Sequence, residues 1–388
     1  MIETSSINKI CKDFDLPFVA YNFEHFNDIF KLYKQSVPAG SSEYKNIETA
    51  ETIVTMFVEA DKILAKNGVQ SSIVFKFIGD IMAFMWKSMK GETDESIKEF
   101  YDKFNTCDMN KCFPLEKTNI PSGDVYNFEN LGKSFFSVDM SKAAFQAFKF
   151  AQPEVIYNTK KWDDYVDMMI GKFIEDTHNN IENPSYNFNY ALDFMPVRQF
   201  LFKYISNSRN IRQVVFGKTN GGRLCHIEKY IMQEQVYKAI MQKFPTAAPI
   251  KLCNDEIIFE FDPTVYKGVK EHFCNDSIFK VEAFTLDGMK IYQVDEEAAQ
   301  FANDTANEMN GSYSISLGNI IIRRRIDDMK GMYTIKCCPA KLRYFTNMFM
   351  KGATAINASI TNPAFTRVDS NGFITRIVGK LYFEKASV

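Results

Sequence analysis

At 388 residues the chain is long enough for two or three packed units, and 46% hydrophobic with 24% charged residues is the make-up of a globular protein with a real core. A formal net charge of −2 excludes the global basic field of many nucleic-acid binders, so any such surface is local. Eight cysteines without a Cys-x2-Cys pair, beside only four His, argue against a zinc site, and Cys107 and Cys112, the nearest approach to a ligand pair, read as two free thiols near a loop. No basic leader with an apolar core and no membrane-length apolar run occurs, which predicts an intracellular protein with reduced thiols and no membrane partner.

Residues 1–125 predict a helical N-terminal region. Between Glu48 and Gly68, Ile53, Phe57, Ala60 and Leu64 recur at helical spacing and Gly68 supplies the C-cap. Ser72 to Lys90 predicts a second helix ended by Gly91, and Asp94 to Phe104 a third. Pro114 and the run from Ile120 to Asp124 then read as a connector. None of these helices carries a chemical motif.

The central region, residues 126–278, opens on a short apolar strand, Phe135-Phe-Ser-Val-Asp139, that ends on an acid. A helix follows it, with Ala143, Ala144, Ala147, Phe148 and Ala151 on one stripe. Trp162 to Asn179 is a further amphipathic helix whose Asp163, Asp164, Asp167, Glu175 and Asp176 form a solvated face; Asn179 to Asn189 is loop-like. An apolar pattern resumes from Phe194 to Ile205, and Ser208 to Arg223 is cationic. Gly217, Gly221 and Gly222 break any long helix there, before one from about Leu224 to Phe244. Pro249 to Phe261 reads as two strands joined by the acidic turn Asn254-Asp255-Glu256.

Residues 279–388 change to β character. Asp287-Gly288 predicts a hairpin turn between Phe279–Leu286 and Met289–Val294, and Asn371-Gly372 does the same between Ala364–Asp369 and Phe373–Phe383. The Asp327–Gly331 turn joins Ile320–Ile326 to Met332–Cys337. The predicted fold class is α+β: a helical N-terminal region, a central antiparallel sheet with helices, and a β-rich C-terminal part.

Two-metal phosphoryl or nucleotidyl transfer needs carboxylates from separate elements to meet within a few ångströms. A strand-end Asp139 and a hairpin-tip Asp255 supply that arrangement, with Glu256 either a third carboxylate or an outward strand residue. The plainer alternatives are a helix N-cap for Asp139 and ordinary turn chemistry for Asp255. Arg209, Arg212, Lys218 and Arg223 are candidate contacts to triphosphate oxygens, against the alternative of a solvated basic helix and turn.

Taken together, Asp139-Met-Ser-Lys with Gln146 and Phe148, Arg212 through Gly221, and Asn254-Asp255-Glu256-Ile resemble motifs A, B and C of single-subunit, palm-domain nucleic-acid polymerases. The resemblance spans about 120 residues, and Asn220 and Asn254 depart from the Tyr and His usual in motifs B and C. It implies a palm-like core with a basic fingers-like insertion, and template-directed nucleotidyl transfer from NTP or dNTP. It also implies Mg²⁺ (or Mn²⁺) on Asp139 and Asp255, nucleic acid as partner, and association with protein subunits of a replication or transcription complex. Lys218-Thr-Asn-Gly221 followed by Arg223 also resembles the Lys-x-(Asp/Asn)-Gly motif of covalent nucleotidyltransferases, the RNA ligases and capping enzymes. Asp255–Glu260 and Tyr333–Lys336 would then be the later motifs, and Lys218 the nucleophile. A third reading, from 36 Phe and 18 Tyr at near-neutral charge, is a non-enzymatic structural or assembly protein.

Overall fold

The apolar stripes of the N-terminal region become the buried faces of helices in the computed structural model, which describes residues 3–20, 22–39, 41–121, 123–179, 189–276, 278–294, 314–336, 343–352, 355–357 and 380–386. These helices are α1 (Thr4–Asp13), α2 (Phe23–Ser36), α3 (Ser42–Lys66), α4 (Ile73–Met89), α5 (Glu95–Thr106) and the single turn α6 (Met109–Cys112). Ile53, Phe57, Ala60 and Leu64 are all at most 1% exposed on α3, each large side chain contributing about 1.5–3 kcal/mol. Two of the stops are glycines in the left-handed region. Gly91 is one, at φ +72°, where a Cβ would also lie 2.5 Å from the backbone of Lys98. Asp94 caps α5 by accepting from the Ser96 N–H.

In the central region, β1 (Ser134–Met140) is followed by α7 (Ala143–Ala151), α8 (Trp162–Asn179), α9 (Met195–Asn207), α10 (Arg209–Gly217) and α11 (Gly221–Ile231). A π-helical turn, Met232–Tyr237, continues α11 into α12 (Lys238–Lys243). The strands β2 (Pro249–Leu252) and β3 (Glu256–Glu260) and the helix α13 (Pro263–Phe273) complete it. The sheet order here is β2-β3-β1, with β3 antiparallel to both β2 and β1. Phe136 and Phe259 are cross-strand partners whose rings stack at 4.9 Å, which fixes the register of β1 on β3. On the helical side Trp162 is fully buried against Phe145 and Phe216, its indole N–H donating to the Ser206 carbonyl at 3.0 Å.

The C-terminal described residues are mainly strands: β4 (Phe279–Val294), β5 (Ser314–Arg325), β6 (Tyr333–Ile335), β7 (Ala355–Asn357) and β8 (Lys380–Lys385), with α14 (Arg343–Met350) among them. The order runs β4-β5-β6, with β8 on β4 and β7 on β8, all antiparallel. The Asp327–Gly331 turn forms as expected, with Gly331 at φ +90° and the Asp327 carboxylate holding Arg325 at 2.5 Å and accepting from the Met329 N–H.

The Asp287-Gly288 hairpin does not form. β4 runs unbroken through it, pairing Asp287 with Ile322 and Gly288 with Ile321. Gly288 is there for close approach: a Cβ would sit 2.5 Å from Leu131 Cδ1 and 3.2 Å from Ala386 Cβ. The Asn371-Gly372 hairpin lies outside the described residues. The architecture is α+β, with a helical N-terminal region and β-rich C-terminal described residues.

The chain gathers into two compact units, one of Met1–Ser6, Glu51–Gly123 and Phe135–Ala283, the other of Ile7–Ala50, Asp124–Ser134 and Phe284–Val388. Residues 51–123 of the N-terminal region share a unit with residues 135–283, while residues 7–50 group with the C-terminal segment. Among the described residues, no helix is long and apolar enough to cross a membrane.

Candidate functional site

The acidic end of β1 and the acidic turn between β2 and β3 meet in the first unit. Asp139 stands directly opposite Glu256 in the β1–β3 register, and the Met140 N–H donates to the Asp255 carbonyl at 2.8 Å. Directly opposed residues project to the same face of a sheet, so Asp139 and Glu256 share one. Asp255 lies in the bend just before β3, closed by the Cys253 N–H donating to the Glu256 carbonyl at 2.8 Å, so the strand's pleat does not dictate its direction. The N-cap position of α7 is Lys142, at φ 55°, rather than Asp139.

A fourth carboxyl joins this end of the sheet. Glu228 on α11 is only 8% exposed, and burial together with the negative charge of Asp255 pushes its pKa up to about 7. One turn earlier, burial and the negative charges of Glu228 and Asp255 raise the pKa of the Cys225 thiol. Sequence reasoning missed Glu228. The signal was present, since Leu224, Ile227 and Ile231 form the buried stripe of α11 and a charged residue interrupts it at 228. Among the described residues, no group of three or more His, Cys, Asp and Glu is arranged to hold a metal ion.

The cationic stretch divides among several surroundings. α10 and α11 both pack on α7, the helix that follows Asp139. Arg209 is exposed in the first turn of α10, whose N-cap Ser208 accepts from the Ile211 N–H at 3.2 Å. Arg212 is half-buried, its pKa lowered by burial and by Arg209 and supported by Asp163. Asp163 also holds Lys142 at 2.9 Å, so Arg212 and the segment just beyond Asp139 face a common carboxylate. Lys218 is exposed at the C-cap of α10. Arg223 turns elsewhere: its guanidinium donates to the Cys107 carbonyl and lies 2.9 Å from Cys107 Sγ, over the Phe104 ring.

The Lys218–Gly221 tetrapeptide forms the corner between α10 and α11. Thr219 is fully buried and its hydroxyl donates to the Phe216 carbonyl at 2.8 Å. Asn220, at φ 88°, caps α11 through the Arg223 N–H and donates to Asn105 Oδ1 at 2.7 Å. Left-handed backbone and capping together account for an Asn at position 220.

Comparison of the chain with known family models, with curated proteins and with solved structures finds no match in any of the three.

Proposed function

We propose that the protein is a template-directed nucleotidyltransferase of the palm type, acting on NTP or dNTP with nucleic acid as partner. One observation carries the reading: the strand-end acid at 139 and the acidic turn at 255–256, more than a hundred residues apart in sequence, are neighbours on antiparallel strands. The basic stretch between them lies on helices that pack against α7.

Asp139, Asp255 and Glu256 offer hard oxygen donors, the class that suits Mg²⁺ or Mn²⁺. Magnesium is commonly held by one or two carboxylates plus substrate phosphates, which fits a site without a three-ligand protein cage. Asp139 and Asp255 would hold such an ion, which would supply activation of the attacking hydroxyl and charge neutralisation at the leaving oxygen. The chain's own contribution is to fix the carboxylates on paired strands and to offer Arg209, Arg212 and Lys218 as noncovalent partners for phosphate oxygens. Glu228, with its pKa pushed up to about 7 by burial and by Asp255, is only partly ionised at neutral pH and so adds less negative charge beside Asp255 than an ordinary carboxylate would.

The test is incubation with labelled NTPs or dNTPs, Mg²⁺ or Mn²⁺, and oligonucleotides with and without template. Extension by wild type and its loss, by a factor of about 10³ or more, in folded Asp139→Ala and Asp255→Ala variants is the expected result. Near-normal activity in a folded variant removes that residue from the site. Template-independent labelling of the protein itself would replace the reading with covalent transfer.

A further inference from the structure

His226 and Tyr230, four residues apart, share a face of α11 that points away from Glu228, which lies about half a turn from each. The chain beyond α6 runs along this face. His226 Nε2 donates to the Phe113 carbonyl at 2.9 Å. Further on, Gln233 accepts from the Glu116 N–H and donates to the Glu116 carbonyl, both at 3.1 Å. These contacts hold the segment by its backbone, without the Phe113 ring. That ring meets Phe150, near the end of α7, at 6.3 Å and Tyr230 at 5.5 Å, and Phe150 meets Tyr230 at 6.0 Å. The three pairs are inclined by 51°, 70° and 49°, so no ring lies flat on another's face.

Phe150 is 44% exposed, and Phe113 and Tyr230 are half-buried. A core cluster would bury its largest rings, whereas this one keeps ring surface in water. Within two positions of each ring, the charged residues that reach solvent are Lys111, Lys149 and Lys229. The Lys111 side chain is 84% exposed, and its ion pair with Asp108 is long, at 3.8 Å. Aromatic faces bordered by cations match a polyanion that carries planar bases. They match poorly the core of a protein interface, where Lys is depleted. We propose that Phe113, Phe150 and Tyr230 are a stacking surface for unpaired bases of a single-stranded nucleic acid, with Lys111, Lys149 and Lys229 serving its phosphates. The proposal rests on the nucleic-acid partner inferred above and names the form that partner takes and where it lies. Phe150 is about 10 Å along the α7 axis from the end that follows Asp139, a span of about three stacked nucleotides.

Binding of the full chain to fluorescein-labelled oligothymidylate and oligouridylate, and to an abasic oligodeoxyribose phosphate of equal length, is read by fluorescence anisotropy in EDTA without triphosphate. Wild type should bind a base-bearing strand about 5- to 150-fold tighter than the abasic one, the equivalent of one stacked base. Phe150→Ala should erase that preference and Phe150→Trp should keep it. Lys149→Ala should flatten the log–log salt dependence by about 0.7. The proposal falls if wild type binds base-bearing and abasic strands equally, or binds neither. The second result, joined by a dimer in sedimentation that Phe150→Ala abolishes, would assign the rings to a second copy of the chain. Both readings come from wild type, and failed nucleotide incorporation leaves them intact because neither metal nor triphosphate is present. Conversely, incorporation that Asp139→Ala abolishes, beside equal binding of both kinds of strand, would sink this proposal and leave the nucleotidyltransferase reading standing.

Discussion

Glu228→Gln removes a charge from the most enclosed part of the candidate site while keeping the side chain's shape. Raising the Glu228 pKa from 4.5 to about 7 corresponds to roughly 3 kcal/mol against its ionised form, at about 1.36 kcal/mol per tenfold change in proton affinity. Residual exposure of 8% and screening at the helix edge reduce the expected effect to about 1.5–3 kcal/mol. The sign follows from linkage. The folded state holds this proton more tightly than the unfolded state, so wild type suffers no penalty below about pH 4.5, loses stability from there to about pH 7, and carries the full cost above it. Glutamine has no proton to lose. The variant should match wild type at pH 4.5 and exceed its stability by about 1.5–3 kcal/mol at pH 8, read from urea midpoints in EDTA at each pH. A variant equal to or less stable than wild type at pH 8 refutes the reasoning, because the carboxylate would then have a compensating partner. Adding Mg²⁺ should narrow the pH 8 gap, since a cation beside Asp255 favours ionised Glu228.

Gly288→Ala should cost about 1–3 kcal/mol by overpacking against Leu131, and most of that cost should vanish in a Leu131→Ala background; an equal cost in both backgrounds would point to backbone strain instead. Asn220→Ala should lower stability by about 1–2 kcal/mol through loss of the α11 cap and strain at φ 88°, whereas Asn220→Gly should lose only a few tenths, as thermal melts will show. Nucleotide incorporation by Asn220→Gly should stay near wild type, and its abolition with the fold intact would restore a chemical role to the tetrapeptide. Lys218→Arg keeps the charge and should retain part of the incorporation activity, with no acid-stable nucleotide-labelled band in wild type. A strong band that disappears in the variant would make Lys218 a nucleophile.

What could be read from the chain was whatever rests on neighbours a few residues away. The stripe of Ile53, Phe57, Ala60 and Leu64 and the helix from Trp162 to Asn179 are local repeats, and a local repeat declares which face is buried. The strand character around Val138 and the turn at Asp255 were legible for the same reason. Asp287-Gly288 misled because the dipeptide serves a tight turn and a close approach equally well, and the deciding group, Leu131, lies more than 150 residues earlier. Arg223 carried no mark of its partner either, since Cys107 reaches it only through tertiary packing. The environment of Glu228 is set by Asp255 across two elements, so the interrupted stripe on α11 signalled an anomaly without naming its cause.

The second compact unit draws on three separate stretches of chain, and this imposes a schedule on a nascent polypeptide. Phe26, Ile29, Phe30 and Tyr33 on α2 belong to a unit whose largest portion begins at Phe284, while Glu51 to Ala283 must be made in between. At about 5–20 residues per second the ribosome needs roughly 10–50 s for that interval. Throughout it the aromatic face of α2 emerges before the strands of its own unit exist, exposed to whatever holdase the cell provides. The unit bearing Asp139, Asp255 and Glu228 has its last segment finished at Ala283, before the largest portion of the second unit is made. Synthesis halted just past that point would leave Ile7–Ala50 without the later strands of its own unit.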